Sequence, residues 1–463
     1  MTDSQKIAHL YRRAGFGLNI RETPDGALND AINKILASNT QFDELYLEDE
    51  ERVTAAELLA MNPEQRKEII QDLAANIKKL NLQWIKIMGK AEGQLREKMS
   101  LFWHGHFAVR VRGFAQVESY ANTIRQHALG NFRELLMAVS KEPAMLKFLN
   151  NVQNKKNNPN ENFAREVMEL FTLGRGNYTE HDIKEAARAF TGWGINQEDE
   201  FELKTFQHDS GSKTIFGKTG NFEGEDVIAM ILERKETAVF ITRKIYRFLV
   251  NETVDESRVR ELAESFHANY DIPQLLRQIV SADWFYAPEN IASIIKSPVE
   301  LIVGLNRTFG IAYENPQPLL AVQRVLGQTL FFPPNVAGWA GGRNWIDNST
   351  LITRLNLPKR LTDASQLDVD VKNDMDDITP NEVERKKSGN TFQCSFNWEL
   401  FGEKFKEISD DKLWEALCIQ LLANTMLLQM PDKLKVQAEN SNRAEKIRLM
   451  AIYIVRTPDY QLS

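Results

Sequence analysis

Residues 62–84 read NPEQRKEIIQDLAANIKKLNLQW, and this stretch decides the fold class. Asn62 is a favoured N-cap residue, and Pro63 occupies the first helical position. After them, apolar side chains recur at helical spacing, namely Ile69, Ile70, Leu73, Ile77, Leu80 and Trp84. The pattern predicts a long amphipathic helix.

Comparable signals recur through the chain. Gly174 is placed to end a helix in the left-handed conformation. Other segments open with a residue whose side chain can cap a first helical turn, namely Thr23, Asn131, Asn160 and Thr179. We therefore predict an all-α protein.

One segment departs from the helical pattern. Residues 201–206 alternate between apolar and polar side chains, residues 207–212 are polar, and residues 213–216 resume the strand-like pattern. Such alternation is typical of half-buried strands joined by a turn. The predicted fold class is predominantly helical with one small inserted β-hairpin near 200–217.

The composition predicts three regions. Residues 363–390 are first acidic and then basic, with few apolar side chains, so we expect a linker or surface excursion over 361–400. It would separate a main helical domain, residues 1–360, from C-terminal helices at 401–463 that pack on the main body.

Composition and charge exclude several classes of protein. The 463 residues are 43% hydrophobic and carry a net charge of −7, which supports a large core and argues against nucleic-acid binding. Two cysteines are too few for a disulfide framework, and no apolar run approaches the roughly 20 residues of a spanning helix. The twin arginines Arg12 and Arg13 are not followed by the apolar segment of an export signal. We expect a soluble protein, cytoplasmic by default, with export left open.

His104 and His106 are the sharpest candidates for metal ligation. In an extended segment, residues two apart point to the same side and could hold one divalent metal ion. In a helix, the same two residues diverge by about 200°. The alternative is a pair of half-buried imidazoles that bond to the backbone, one of them near a helix C-terminus.

Three further residues are candidate catalytic groups. His208 and Asp209, at the tip of the predicted hairpin, suit acid–base catalysis or metal ligation, whereas the alternative is an Asx-type turn. Glu166 lies three residues before Glu169, a candidate metal ligand on the same predicted helix face, and such carboxylates can divide acid and base roles. The alternative there is a solvated charge ladder in which Arg165 pairs with Glu169 and with Glu161.

Arginine and tryptophan side chains suggest a site for an anion or a sugar. Arg12 and Arg13 could clamp an anion through their guanidinium forks, or they could fix the first helix to the body of the protein. Trp339, Trp345 and Arg343 could form a platform for a sugar or a planar ligand. Alternatively, the tryptophan side chains are buried in the core, and the neighbouring glycines allow the backbone to pack closely around them.

Several ordered motifs resemble one bacterial family. They are HLYRRAGFG (9–17), FWHGHF (102–107), NFAREVMELFTLG (162–174), YTE (178–180), ARAFTGW (187–193), HDSGSKT (208–214), PPNVAGW (333–339) and RNW (343–345). Together they resemble the family catalogued as domain of unknown function 1800, from His9 to the C-terminus and most weakly across 360–400. The resemblance implies no assigned activity. It also implies a pathway partner, because relatives are often encoded beside predicted exported proteins that resemble alkaline-phosphatase-type hydrolases.

Three functional hypotheses follow. The first is a metal-dependent hydrolase-like enzyme, in which the candidate histidines and carboxylates gather around a divalent metal ion that activates water. The second is a non-catalytic partner of the co-encoded alkaline-phosphatase-like hydrolase, which predicts a large exposed apolar patch. The third is a carbohydrate- or anion-binding module that uses the arginines and tryptophans.

Overall fold

The computed structural model describes residues 1–37, 43–90, 92–363, 391–424 and 428–463. Its secondary structure confirms the predicted helical class. The helices in these ranges are α1 (Asp3–Arg13), α2 (Leu28–Ala37), α3 (Ala55–Ala60), α4 (Pro63–Lys90), α5 (Gln94–His106), α6 (Phe114–His127), α7 (Phe132–Lys141), α8 (Pro143–Phe148), α9 (Asn162–Glu166), α10 (Glu180–Ala189), α11 (Gly224–Glu233), α12 (Lys235–Leu249), α13 (Glu256–Asn269), α14 (Ile272–Ser281), α15 (Pro298–Phe309), α16 (Pro318–Val325), α17 (Asn348–Thr362), α18 (Trp398–Glu403), α19 (Asp410–Leu421), α20 (Asp432–Glu439) and α21 (Arg443–Val455). The strands are β1 (Trp193–Ile195), β2 (Phe201–Leu203), β3 (Lys213–Ile215), β4 (Lys218–Gly220), β5 (Ala312–Asn315) and β6 (Gln393–Ser395).

Local capping explains where several helices begin. The side chain of Asn62 accepts backbone N–H groups at the start of α4, as its sequence predicts. Asn131 caps α7, and Thr179 closes a capping box at α10. The helix expected to open at Thr23 begins instead at Leu28.

A π-helical turn follows α9. The π-helix covers Val167–Thr172, and the Thr172 hydroxyl donates to the carbonyl of Val167 at 2.5 Å. Gly174 follows with φ +75°, in the left-handed conformation that its sequence predicts. A π-turn shifts the helical backbone hydrogen bonds by one residue, so some carbonyl groups need hydrogen-bond donors from other parts of the protein.

The inserted β-structure consists of two hairpins rather than one. β1 pairs with β2, and β3 pairs with β4 across a two-residue turn at Phe216 and Gly217. Both turn residues have positive φ, as a tight hairpin turn of this length requires. The expected pairing of residues 201–206 with 213–216 is therefore wrong, because each segment has a nearer partner in the chain. A third pair joins β5 to β6.

Within the described parts of the chain, two hydrophobic clusters form the core. The first draws on α1, α2 and α5 to α14, and the second draws on α4 and α15 to α21. Helices α5 and α6 contribute to both clusters. On α5, for example, Trp103 belongs to the first cluster and Leu101 to the second. Opposite faces of α5 therefore meet different parts of the interior.

The C-terminal helices contact the rest of the chain, with α21 packed against α17 and β6 paired with β5. Most of the expected linker at 361–400 lies outside the described residues. The division into 1–360 and 401–463 stays a prediction. Within the described ranges, no helix combines the length and apolar composition needed to cross a membrane.

Candidate functional site

A cavity lies where the end of α1 meets α5, α15 and the C-terminal segment. Its charged lining side chains are Arg12, Lys98, Lys296 and Glu300. The cavity has a volume of about 490 Å³ with its mouth included, of which about 30 Å³ is available to the centres of water-sized molecules. A single water needs roughly 10–15 Å³ on that measure, so the interior has room for one small anion or anionic group.

Glycines shape the wall of this cavity after α1. A Cβ atom at Gly15 would come closer than 3.0 Å to the side-chain amide of Gln94. That amide oxygen accepts the N–H of Phe16 at 2.9 Å. Gly17 has φ +97°, which favours glycine. The backbone of residues 15–17, directly after α1, therefore packs closely against α5.

Lys98 and Glu300 form a buried ion pair in the cavity wall. Lys98 is 2% exposed and Glu300 is 8% exposed. Glu300 also accepts the N–H of Ser297 at 2.7 Å in the capping box of α15. Burial acts to raise the pKa of Glu300, but the Lys98 ammonium and the Ser297 donors outweigh it and hold that pKa below its ordinary value. Burial lowers the pKa of Lys98, whereas the Glu300 carboxylate acts to raise it, so each partner favours the charged form of the other.

Among the described residues, Arg12 and Lys296 have no carboxylate partner within ion-pair distance. Arg12 donates from Nη2 to the carbonyls of Ile419 at 3.1 Å and Gln420 at 3.0 Å. Lys296 Nζ donates to the carbonyl of Tyr460 at 2.6 Å and lies 3.7 Å from the centroid of its ring. Burial lowers the pKa of Arg12 to about 10. Burial, and then the charge of Arg12, lowers the pKa of Lys296 well below its ordinary value.

Arg354 on α17 is a further buried cation beside Lys296. Its Nη1 donates to the carbonyl of Lys296 at 3.0 Å, while Nε and Nη2 are buried without a hydrogen-bond partner in the described part of the chain. Burial lowers the pKa of Arg354 to about 10. Because Glu300 already balances Lys98, Arg12 and Arg354 leave an excess of positive charge away from water, which favours an anion.

Arg13 does not share this cavity with Arg12. It is 2% exposed, and it donates from Nε to the carbonyl of Leu249 at 2.9 Å and from Nη1 to the carbonyl of Ser463 at 2.8 Å. These contacts fix α1 to the body of the protein. The two arginines therefore do not clamp one anion together, and Arg13 has the anchoring role that was the alternative.

His104 and His106 diverge because α5 is helical through both. His104 Nε2 accepts the N–H of Phe331 at 3.1 Å, whereas His106 Nε2 donates to the carbonyl of Phe171 at 3.0 Å. Burial lowers the pKa of His104 to about 3, so its ring is neutral. The expectation that both rings hold one metal ion does not fit this geometry. Within the described residues, no group of three or more His, Cys, Asp or Glu side chains is arranged to hold a metal ion.

His106 and Lys244 instead supply donors to the π-helix. Lys244 Nζ donates to the carbonyl of Leu170 at 3.0 Å and lies 3.0 Å from His106 Nδ1, while the other ring nitrogen bonds to Phe171. Burial lowers the pKa of Lys244 to about 8. The second histidine of the FWHGHF motif therefore stabilises the motif at 162–174.

His208 and Asp209 fix the loop between β2 and β3. His208 Nδ1 donates to the carbonyl of Thr191 at 2.8 Å. Asp209 accepts from Arg188 Nε at 2.7 Å and from the N–H of Gly211 at 2.8 Å. The hydrogen bond from Gly211 forms an Asx-type turn, which was the alternative to a catalytic role for this loop. The Arg188 hydrogen bond holds the pKa of Asp209 below its ordinary value.

Glu166 and Glu169 differ in their surroundings. Glu169 accepts from the Tyr178 hydroxyl at 2.7 Å and from Arg175 Nε at 2.5 Å. Of the two pairs in the predicted charge ladder, the one between Arg165 and Glu161 is confirmed, but the one with Glu169 is wrong, because Arg165 bonds to Glu180 instead. Burial, and then the charge of Glu169, raises the pKa of Glu166. The described contacts bring neither carboxylate to the candidate histidines.

The segment 333–345 packs against α5. The ring of Trp339 is half-buried, and its centroid lies 5.4 Å from that of His104. Trp345 is 8% exposed, whereas Arg343 is exposed. An open platform built from all three side chains does not fit this arrangement, since Trp345 lies in the interior.

The residues that make these contacts lie within the span of one family profile. The sequence profile of the family described as "Protein of unknown function (DUF1800)" matches residues 9–462. The chain belongs to this family. No curated protein and no solved structure matches the chain. The contacts of α5 with the π-helix and with 333–345 lie within the matched residues.

For this DUF1800 protein, sequence reasoning identified Arg12 but missed Lys98, Lys296 and Glu300 as its neighbours. A signal was available at Glu300, which interrupts the apolar run PVELIVGL at residues 298–305. A charged residue on an otherwise buried face is rarely left without a partner. The sequence alone does not show which distant residue that partner is.

Proposed function

We propose that this protein binds a small anion, or the anionic group of a larger ligand, in the cavity lined by Arg12, Lys98 and Lys296. The observation that carries the proposal is the imbalance of charge in that wall. Three basic side chains line the cavity beside one side-chain carboxylate, Glu300, which Lys98 already balances, so the charge of Arg12 is left unbalanced. An incoming anion would form charge-assisted hydrogen bonds with Arg12, which otherwise bonds only to neutral carbonyl groups.

The shape of the cavity supports a compact anionic group. Its interior admits a phosphate or a carboxylate, and its mouth leaves room for a larger molecule attached to that group. Arg12 offers a planar fork of donors, while Lys296 offers N–H groups on a flexible side chain.

The other two hypotheses stay predictions. The described contacts do not gather the candidate histidines and carboxylates, so the metal-dependent hydrolase-like activity has no support from them. The partnership with an alkaline-phosphatase-like hydrolase is likewise untested. Anion binding is the hypothesis that the described geometry favours.

Replacing Arg12 with glutamine is expected to weaken the binding of inorganic phosphate. A hydrogen bond to a charged group contributes about 1.5–3 kcal/mol, so we expect the dissociation constant to rise about 10- to 100-fold. Isothermal titration calorimetry of the full chain with phosphate measures this directly, and thermal unfolding of the variant without phosphate shows whether its fold is kept.

Lys404→Met is the matched control. Lys404 is also a half-buried lysine that donates to backbone carbonyls, those of Asn19 and Glu22, and burial lowers its pKa to about 8. It does not line the cavity. Phosphate binding should be unchanged by Lys404→Met and weakened by Lys296→Met. If wild-type protein shows no heat of phosphate binding at millimolar concentration, or if both lysine variants bind equally, the proposed site is wrong.

A further inference from the structure

We propose that Lys296 is a nucleophile that forms an imine with the carbonyl group of a small 2-oxo acid whose carboxylate occupies the anion cavity. This inference rests on the proposed function, because the same cavity must first accept the carboxylate. It adds a covalent step and a substrate class to simple anion binding.

The position of Lys296 carries the inference. Lys296 lines the cavity beside Arg12, so a carboxylate held by the guanidinium would bring an adjacent carbonyl carbon towards the amine. Lys296 Nζ donates one N–H to the carbonyl of Tyr460 at 2.6 Å. A neutral amine held in this way keeps its lone pair available for attack, and the Tyr460 ring covers one side of the nitrogen.

The charges around Lys296 support a neutral amine. Arg12 on α1, Lys98 on α5 and Arg354 on α17 oppose its protonation, whereas Glu300 on α15 favours it. Burial acts in the same direction as the three cations, and the pKa of Lys296 falls well below its ordinary value. Proteins activate lysine nucleophiles by desolvation and by a second cation nearby.

The proposed step balances without any further reactant. The lone pair of Nζ forms a bond to the carbonyl carbon while the carbon–oxygen π bond breaks, which gives a carbinolamine. The two protons of the amine then leave with the former carbonyl oxygen as water, and a carbon–nitrogen double bond remains. Lys98 and Glu300 line the same cavity as Lys296 and would exchange the protons of this dehydration.

Borohydride trapping tests the inference with the full chain. The protein is incubated with pyruvate near neutral pH, reduced with sodium borohydride, digested and mapped by mass spectrometry. We expect the reduced adduct to concentrate on Lys296 and to decrease when inorganic phosphate is added as a competitor. Lys404 is the internal control, because burial also lowers its pKa but it lies outside the cavity.

The outcomes separate this inference from the proposed function. An adduct spread equally over Lys296 and Lys404, or absent from Lys296 while phosphate still binds, overturns the imine and leaves anion binding intact. Absence of both the adduct and phosphate binding overturns both. The Arg12→Gln variant retains Lys296 and should lose most of the adduct there, with labelling of Lys404 unchanged. The map of the wild-type protein decides the question even where a variant folds poorly.

Discussion

Replacing Arg125 with methionine is expected to lower the free energy of unfolding by about 3–5 kcal/mol, because it leaves the carboxylate of Glu97 unpaired in the interior. Arg125 is 0% exposed and Glu97 is 2% exposed. Arg125 donates to the carboxylate of Glu97 from Nη2 at 2.8 Å and from Nε at 3.1 and 3.3 Å. Trp84 Nε1 donates to the same carboxylate at 2.7 Å, so the group joins α4, α5 and α6.

Urea unfolding followed by circular dichroism measures this loss. Arg243→Met is the matched control, since Arg243 also forms hydrogen bonds with a glutamate, Glu256, but at the surface. There we expect at most about 1 kcal/mol. Adding Glu97→Gln to Arg125→Met should recover part of the loss, because the amide is uncharged and its oxygen can still accept from Trp84. Equal losses for Arg125→Met and Arg243→Met would contradict this account of the buried pair.

The helices could be predicted because their signals are local. Asn62, Asn131 and Thr179 each bond to a backbone N–H within three residues, so the cap and its acceptor lie in one short stretch of sequence. The long apolar repeat that follows Asn62 is equally local. Predominantly helical structure follows from such signals without knowledge of the tertiary fold.

Strand pairing was less predictable because it depends on which partner is nearest. The alternation at 201–206 and 213–216 indicates strands but does not say what they pair with. Gly217 was the missing signal, since a glycine in a two-residue turn brings β4 back onto β3. The partner of β2 is β1, whose three residues are too few to give a clear alternation.

The residues of the candidate site were harder still to predict from the sequence, because they come from distant segments of the chain. Arg12 stood out because two arginines are followed by glycines. Lys98, Lys296 and Glu300 come from α5 and from the segment that leads into α15, and no local spacing connects them to α1. His104 and His106 show the opposite problem. Their closeness in sequence suggested a shared metal ion, but residues two apart in a helix point to different parts of the core.

Gly338→Ala is expected to destabilise the protein by about 2–5 kcal/mol through two separate costs. Gly338 has φ +74°, and a left-handed conformation costs a residue with a side chain about 1–2 kcal/mol. A Cβ atom there would also come closer than 3.0 Å to the carbonyl oxygen of Gly105. That oxygen belongs to α5, so it cannot move aside without disturbing the helix that carries His104 and His106.

Two other glycines separate these costs. Gly341 has φ +71° and ψ −175°, a backbone conformation almost exclusive to glycine, but no atom lies within 4 Å of a Cβ position, so Gly341→Ala should show only a conformational cost of about 1–3 kcal/mol. Gly105 lies in α5 with the same open space, so Gly105→Ala should stabilise the helix by up to about 1 kcal/mol. We expect the urea midpoints to fall, from most to least stable, in the order Gly105→Ala, wild type, Gly341→Ala and Gly338→Ala. If Gly338→Ala matches Gly341→Ala, the close approach of the 333–345 segment to α5 contributes nothing beyond backbone conformation. A larger loss at Gly338, with a change in the fluorescence of Trp339 beside His104, would show that this approach holds the two motifs together.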